Sequence, residues 1–129
     1  MKNKLSPVKR TVLIVEDDAD MRAGIAAMMR AEGFEPVAIG EGEGALPHLD
    51  KQKFDLVLLD VELPGISGFD VLKLVKQHPQ YQSIPVIMIT AESKDNQVLG
   101  GYDLGADYYI PKPFTTKQLH YGLKLYFPE

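Results

Sequence analysis

Carboxylates stand where apolar runs stop in this 129-residue chain. Val12-Leu13-Ile14-Val15 passes directly into Glu16-Asp17-Asp18, and Leu56-Val57-Leu58-Leu59 ends at Asp60. A third run, Val86-Ile87-Met88-Ile89, ends at Thr90, and Lys112-Pro113 follows a weaker apolar segment. If those ends meet, the acids crowd one another, and a half-buried group of ionised carboxylates is costly unless a cation accompanies it. A hard divalent ion that takes oxygen ligands and keeps waters fits, Mg²⁺ or Mn²⁺; the lack of cysteine and of clustered histidine argues against zinc. Lys112 adds a second positive charge, able to hold a free carboxylate or an oxygen of a phosphoryl group attached to it.

Taken singly, these residues have plainer readings. An acidic pair after a strand caps the next helix, a lone Asp forms a turn, a lone Thr caps, and Lys-Pro makes a loop. What favours a site is the combination, because four separate strand ends each supply a residue the same chemistry needs.

The elements that must position them follow from periodicity. The three continuous apolar runs fit strands buried on both faces, and Glu35 to Ile39 and Asp107 to Ile110 are weaker strand candidates. Pro36 marks an edge strand, since proline cannot donate to a central ladder. Helical spacing is found over Asp20 to Ala31, Glu43 to Lys51, Phe69 to Gln77, Lys94 to Leu104 and Thr116 to Phe127. Gly33, Pro79 and Gly105 close the first, third and fourth of these, and Pro47 should make the second start late or bend. Five βα units argue for an α/β fold with a doubly wound, five-stranded parallel sheet and helices on both faces. In such sheets functional groups gather at the carboxyl edge. One domain spans residues 8–127, with residues 1–7 as a flexible N-terminus and no output domain.

Composition narrows the classes of function. With 45% apolar and 25% charged residues and a net charge of −4, the chain can build a core but lacks the basic excess that direct nucleic-acid binding requires. The absence of cysteine excludes disulfides and thiolate chemistry, and no stretch is long enough for a signal-peptide core or a membrane span. Cytoplasm is the expected location.

The stretches Val12 to Asp18, Leu56 to Gly68 (with Asp60, Pro64 and Gly65), Val86 to Ala91 and Gly105 to Phe114 closely resemble the receiver domain of bacterial two-component response regulators, including the chemotaxis regulators. The separations from Asp17 to Asp60, Asp60 to Thr90 and Asp60 to Lys112 are 43, 30 and 52 residues, as in that family. The resemblance implies a flavodoxin-like fold with strand order 2-1-3-4-5 and a phosphoacceptor at Asp60. Asp17 is then a direct Mg²⁺ ligand and Glu16 acts through water. The backbone carbonyl of Glu62 is a further ligand, while Asp18 is either a third acidic member or a cap for the first helix. Thr90 is the hydroxyl that binds the phosphoryl group, Tyr109 the aromatic switch, and Glu62 and Glu92 tune the lifetime of the phosphoryl group. Lys112-Pro113 resembles the family's cis peptide. The resemblance also implies a sensor histidine kinase or phosphotransfer protein as donor, with a small acyl phosphate able to replace it, and an output surface made by the fourth helix, fifth strand and fifth helix.

On the last helical segment Leu119, Leu123 and Tyr126 form the core stripe. Lys117, Tyr121, Lys124 and Leu125 are left outside, where a downstream partner or, after phosphorylation, a second copy could dock. Gly100 and Gly101 lie within the fourth segment, which makes it easy to reorganise. His48, His78 and His120 share no spacing and read as surface residues, and Ser67 reads as a helix cap. An aspartyl-nucleophile phosphohydrolase would place its nucleophile after the first strand, whereas here the acidic pair precedes Asp60. A flavin or nucleotide binder of this topology would need a Gly-rich loop after the first strand, which is missing. Intact Glu16, Asp17, Asp60, Thr90 and Lys112 argue against a receiver that has lost phosphorylation.

Overall fold

A strand without polar residues can be stable only with both faces covered, and the three apolar runs occupy such positions. In the computed structural model, which describes residues 9–91 and 104–128, they form β1 (Arg10–Val15), β3 (Leu56–Asp60) and β4 (Val86–Thr90), and every residue of β3 and β4 is buried. The flanking strands β2 (Phe34–Ile39) and β5 (Tyr108–Pro111) are only partly covered. All pairings are parallel and the order is β2-β1-β3-β4-β5. Pro36 lies on β2, the edge strand, where its missing donor leaves no gap in a central ladder.

Strand alternation divides the core in two. Leu13, Val57, Leu59 and Met88 point to one face, covered by α2 (Ala45–Lys51) and α3 (Gly68–Gln77) through Leu49, Val71, Leu72 and Val75. Ile14, Leu58, Ile87 and Ile89 point to the other, covered by α1 (Ala19–Ala31) and α4 (Thr116–Tyr126) through Ile25, Met29, Leu119 and Leu123. The chain is thus doubly wound and flavodoxin-like. Of the expected helix over Lys94 to Leu104, only Leu104 falls within the described residues.

Local chemistry sets the helix ends. Ser67 and Asp70, and likewise Thr115 and Gln118, form reciprocal capping boxes at α3 and α4. A 3₁₀ turn over Gly42–Gly44 precedes α2, so that helix starts at Ala45 and Pro47 falls in its first turn, where its missing N–H has no partner to lose. The late start foreseen from Pro47 is therefore what occurs. One residue of the expected α4 stripe differs: Tyr126 is half-buried and donates its hydroxyl to the Asp107 carbonyl at 2.5 Å. Gly122 takes the buried place beside the Tyr108 ring, where a Cβ would stand 3.0 Å from that ring.

Gly68 is the tightest point of the fold. It opens α3 directly under the end of β3, its amide donates to the Val61 carbonyl at 2.9 Å, and a Cβ there would meet the Asp60 carbonyl at 2.0 Å. Backbone cannot move aside as a flexible side chain can. Gly24, exposed on α1, has open space around it. In urea unfolding, Gly68→Ala should therefore lower stability by about 1–3 kcal/mol, whereas Gly24→Ala should raise it by about 0.5–1 kcal/mol. Shifts of the same sign in both variants would show that the contact under β3 relaxes.

Candidate functional site

The site is delivered by backbone pairing that runs one step past the strands. Glu16 N donates to the Ile39 carbonyl at 3.0 Å, Val61 N to that of Ile89 at 2.8 Å, and Lys112 N to that of Thr90 at 2.7 Å. These bonds carry Glu16, Asp60, Thr90 and Lys112 to one edge. The junction of β1 and β3 is where strand order reverses, the usual place for a crevice in such sheets.

At that edge Glu16 and Asp60 are each 1% exposed and Thr90 is 3% exposed, so ionised groups here must be compensated from within. Lys112 Nζ donates to Asp60 Oδ2 at 2.9 Å and lies 3.0 Å from Glu16 Oε1. The second oxygen of each carboxylate takes a backbone amide: Glu62 N donates to Asp60 Oδ1 at 3.0 Å and Asp18 N to Glu16 Oε2 at 3.1 Å. The Lys112-Pro113 peptide is cis. Asp17 is exposed at the mouth, and ligand oxygens of Glu16, Asp17 and Asp60 all lie within 4.8 Å of one another.

One ammonium cannot balance three ionised carboxylates. Burial pushes the Glu16 carboxyl above its usual range, opposed by Lys112 and the Asp18 amide and reinforced by the charge of Asp60. Burial works against the charge of Lys112 as well, yet its contacts with Asp60 and Glu16 outweigh that and hold the ammonium above its usual range. Glu16 Oε1 is buried and, despite its closeness to Lys112, receives no aligned hydrogen bond. Among the described residues, an all-oxygen donor set with one such oxygen, and more carboxylates than the one ammonium in contact with them, fits a hard divalent cation.

Asp18 departs from the acidic group. Its Oδ1 accepts from Met21 N at 2.9 Å as the N-cap of α1, because a short carboxylate just before a helix is drawn to the free amides of the first turn. Glu62 has an exposed side chain beside Asp60, and Glu92 lies outside the described residues. Tyr109 pairs with Met88 and Thr90 with Pro111, so Tyr109 and Thr90 share a sheet face, and Tyr109 packs half-buried against the core there. Tyr109, Lys117 and Tyr121 line one surface pocket, with Leu125 exposed on the same helix. Lys124, further along the helix, lines a different pocket, with Arg10, Glu32 and His120. None of the three histidines belongs to the acidic group: His48 lies on α2, His78 just past the end of α3, and His120 on α4 with Nδ1 2.7 Å from Glu32 Oε1.

Two contributors are not evident from motif spacing. Arg22 Nη1 donates to the Glu16 carbonyl at 2.9 Å and the Asp17 carbonyl at 3.3 Å. Its sequence signal is a cation in a helix's first turn, where the macrodipole favours acids. Glu43 Oε2 accepts from Ile66 N at 3.3 Å, bracing the loop after Asp60 where Gly65 adopts φ +75°. No local pattern pairs residues from such distant loops.

A family model of the response regulator receiver domain matches residues 12–124. The sensory transduction protein RegX3 of Mycolicibacterium smegmatis is 41% identical over 109 residues, 84% of this chain and 46% of RegX3. The chain spans about half the length of the curated relatives it matches. Among solved structures, the chemotaxis response regulator CheY4 of Vibrio cholerae is 29% identical with a TM-score of 0.85, covering 92% of this chain and 98% of CheY4. A response regulator structure from Chloroflexus aurantiacus J-10-fl is 35% identical with a TM-score of 0.87, covering 92% and 97%.

The raised Glu16 carboxyl gives a pH signature. The folded chain holds a proton there at pH values where the unfolded chain has lost it, so this group costs stability as pH rises from about 4.5 through its folded value. Lys112→Met removes the compensating charge and should widen that window. Thermal unfolding of metal-free parent and variant should show a deficit that is small near pH 4.5, grows toward about 3 kcal/mol at neutral pH, and shrinks when Mg²⁺ is added. A deficit constant across that range would mean that the lysine does not compensate the carboxylates.

Proposed function

The chain belongs to the response regulator receiver domain family, the signalling domains of two-component systems, and from that premise we propose that Asp60 is the residue phosphorylated. The observation that carries this is the setting of Asp60: a buried carboxylate at the carboxyl edge, held by Lys112 and the Glu62 amide and bordered by Glu16 and Asp17. Thr90, buried at the end of the next strand, would supply a hydroxyl to the transferred group.

In the proposed reaction one Asp60 oxygen attacks phosphorus, a P–O bond forms, and the bond to the donor's leaving group breaks. That group is the imidazole of a phosphohistidine on a partner kinase or phosphotransfer protein, or the carboxylate of a small acyl phosphate. Phosphoryl transfer depends on positioning and charge neutralisation more than on covalent help. Lys112 already stands on Asp60 and, with Thr90, would receive oxygens of the incoming group. Glu16, Asp17, Asp60 and the Glu62 carbonyl would hold Mg²⁺ or Mn²⁺, which supplies neutralisation of charge shared between acceptor and phosphoryl oxygens. Glu62, exposed beside the acceptor, and Glu92 would influence the approach of hydrolytic water. A shift of Thr90 toward the new charge would free space on the face it shares with Tyr109. The surface around Tyr109, Lys117 and Tyr121 would then change for a downstream partner or second copy.

Incubation with acetyl phosphate and Mg²⁺ should add one phosphate to the intact mass, chelation of the metal should abolish the addition, and Asp60→Asn should remain unmodified. Equal modification of that variant would place the acceptor elsewhere.

A further inference from the structure

We propose that Arg22 is a positioning residue for the acidic loop, holding the Glu16–Asp17 backbone so that the Asp17 carboxylate faces the cation site; this rests on the reading that Glu16, Asp17 and Asp60 bind the metal. Arg22 occupies the first turn of α1, where a positive charge opposes the helix macrodipole, so its place there reflects a local contact rather than helix stability. Nη1 binds the carbonyls of two successive residues, Glu16 and Asp17, while the Arg22 amide donates to the Asp18 carbonyl at 2.8 Å. The last of these is the first i→i−4 bond of α1, which any residue with an amide would make there, so what is specific to the Arg22 side chain is its hold on the Glu16 and Asp17 carbonyls. Gly40, just after β2, leaves room for the guanidinium, since a Cβ there would stand 3.0 Å from Nη1.

Asp17 depends on this support more than its neighbours do. Glu16 is fixed by burial, Lys112 and the Asp18 amide, and Asp60 by Lys112 and the Glu62 amide. Among the described residues, nothing donates to the Asp17 carboxylate, so its direction follows from its backbone. Residues that orient metal ligands without touching the metal have large effects on affinity.

Simple electrostatics makes the opposite prediction. A guanidinium close to a cation site repels the cation, so deleting it would tighten Mg²⁺ binding if charge were its only influence. Mg²⁺ titration calorimetry on the folded chain separates the two. Arg22→Ala should weaken Mg²⁺ binding roughly tenfold, and Arg22→Lys, which keeps the charge and a donor, should recover part of the loss. In metal-free protein, the amides of Asp17 and Asp18 should exchange faster in Arg22→Ala than in the parent. A lowered unfolding temperature with unchanged Mg²⁺ affinity would reduce Arg22 to a structural role and overturn the proposal, as would tighter binding. If the parent itself binds no Mg²⁺, the metal reading fails instead. The metal-free comparison still decides the loop: faster exchange supports Arg22 as its holder, and unchanged exchange overturns it.

Discussion

Two carboxylates almost wholly out of water, those of Glu16 and Asp60, share the single ammonium of Lys112 at 3.0 and 2.9 Å. Each such ion costs several kcal/mol to remove from water, and attraction offsets that only where geometry is close and the remaining lone pairs are satisfied. Asp60 meets both conditions, with Lys112 on one oxygen and the Glu62 amide on the other. Glu16 meets them in part, since Oε1 has closeness without an aligned donor. With Asp17 nearby, the edge carries more negative charge than Lys112 can offset, and that excess favours a divalent cation.

The rest of the fold keeps this strained arrangement in place with groups that take no part in it. Backbone pairing past the strand ends fixes Glu16 against β2 and Lys112 against Thr90, and the apolar layers on both faces hold the strands that carry them. Gly68 lets α3 begin against the Asp60 carbonyl, so Asp60 has a rigid floor. Arg22 and Glu43 brace the loops on either side. Because backbone amides and carbonyls do most of the holding, the side-chain oxygens remain available for ligands.

Much of this was legible before any coordinates. Runs such as Leu56 to Leu59 announce buried strands because nothing polar interrupts them, and residues at their ends must gather at one edge once the sheet is parallel. The strand order and residue roles came from the family's spacing, not from periodicity. Asp18 could not be assigned from sequence because the same carboxylate serves as a helix cap or a ligand, and only the direction of its side chain, toward Met21 N, separates them. Arg22 and Glu43 were missed because each acts on backbone outside its own motif, a relation that residue types do not encode.

The central claim, that Asp60 is the carboxylate that becomes phosphorylated, can be tested at the level of a single residue. An acyl phosphate is reduced by borohydride to an alcohol, so an aspartyl phosphate becomes homoserine. After treatment with acetyl phosphate and Mg²⁺ followed by borohydride, peptide mapping should find homoserine at position 60 and no reduced residue at Glu16, Asp17 or Asp18. Reduction at any of those three, with Asp60 intact, would contradict the account.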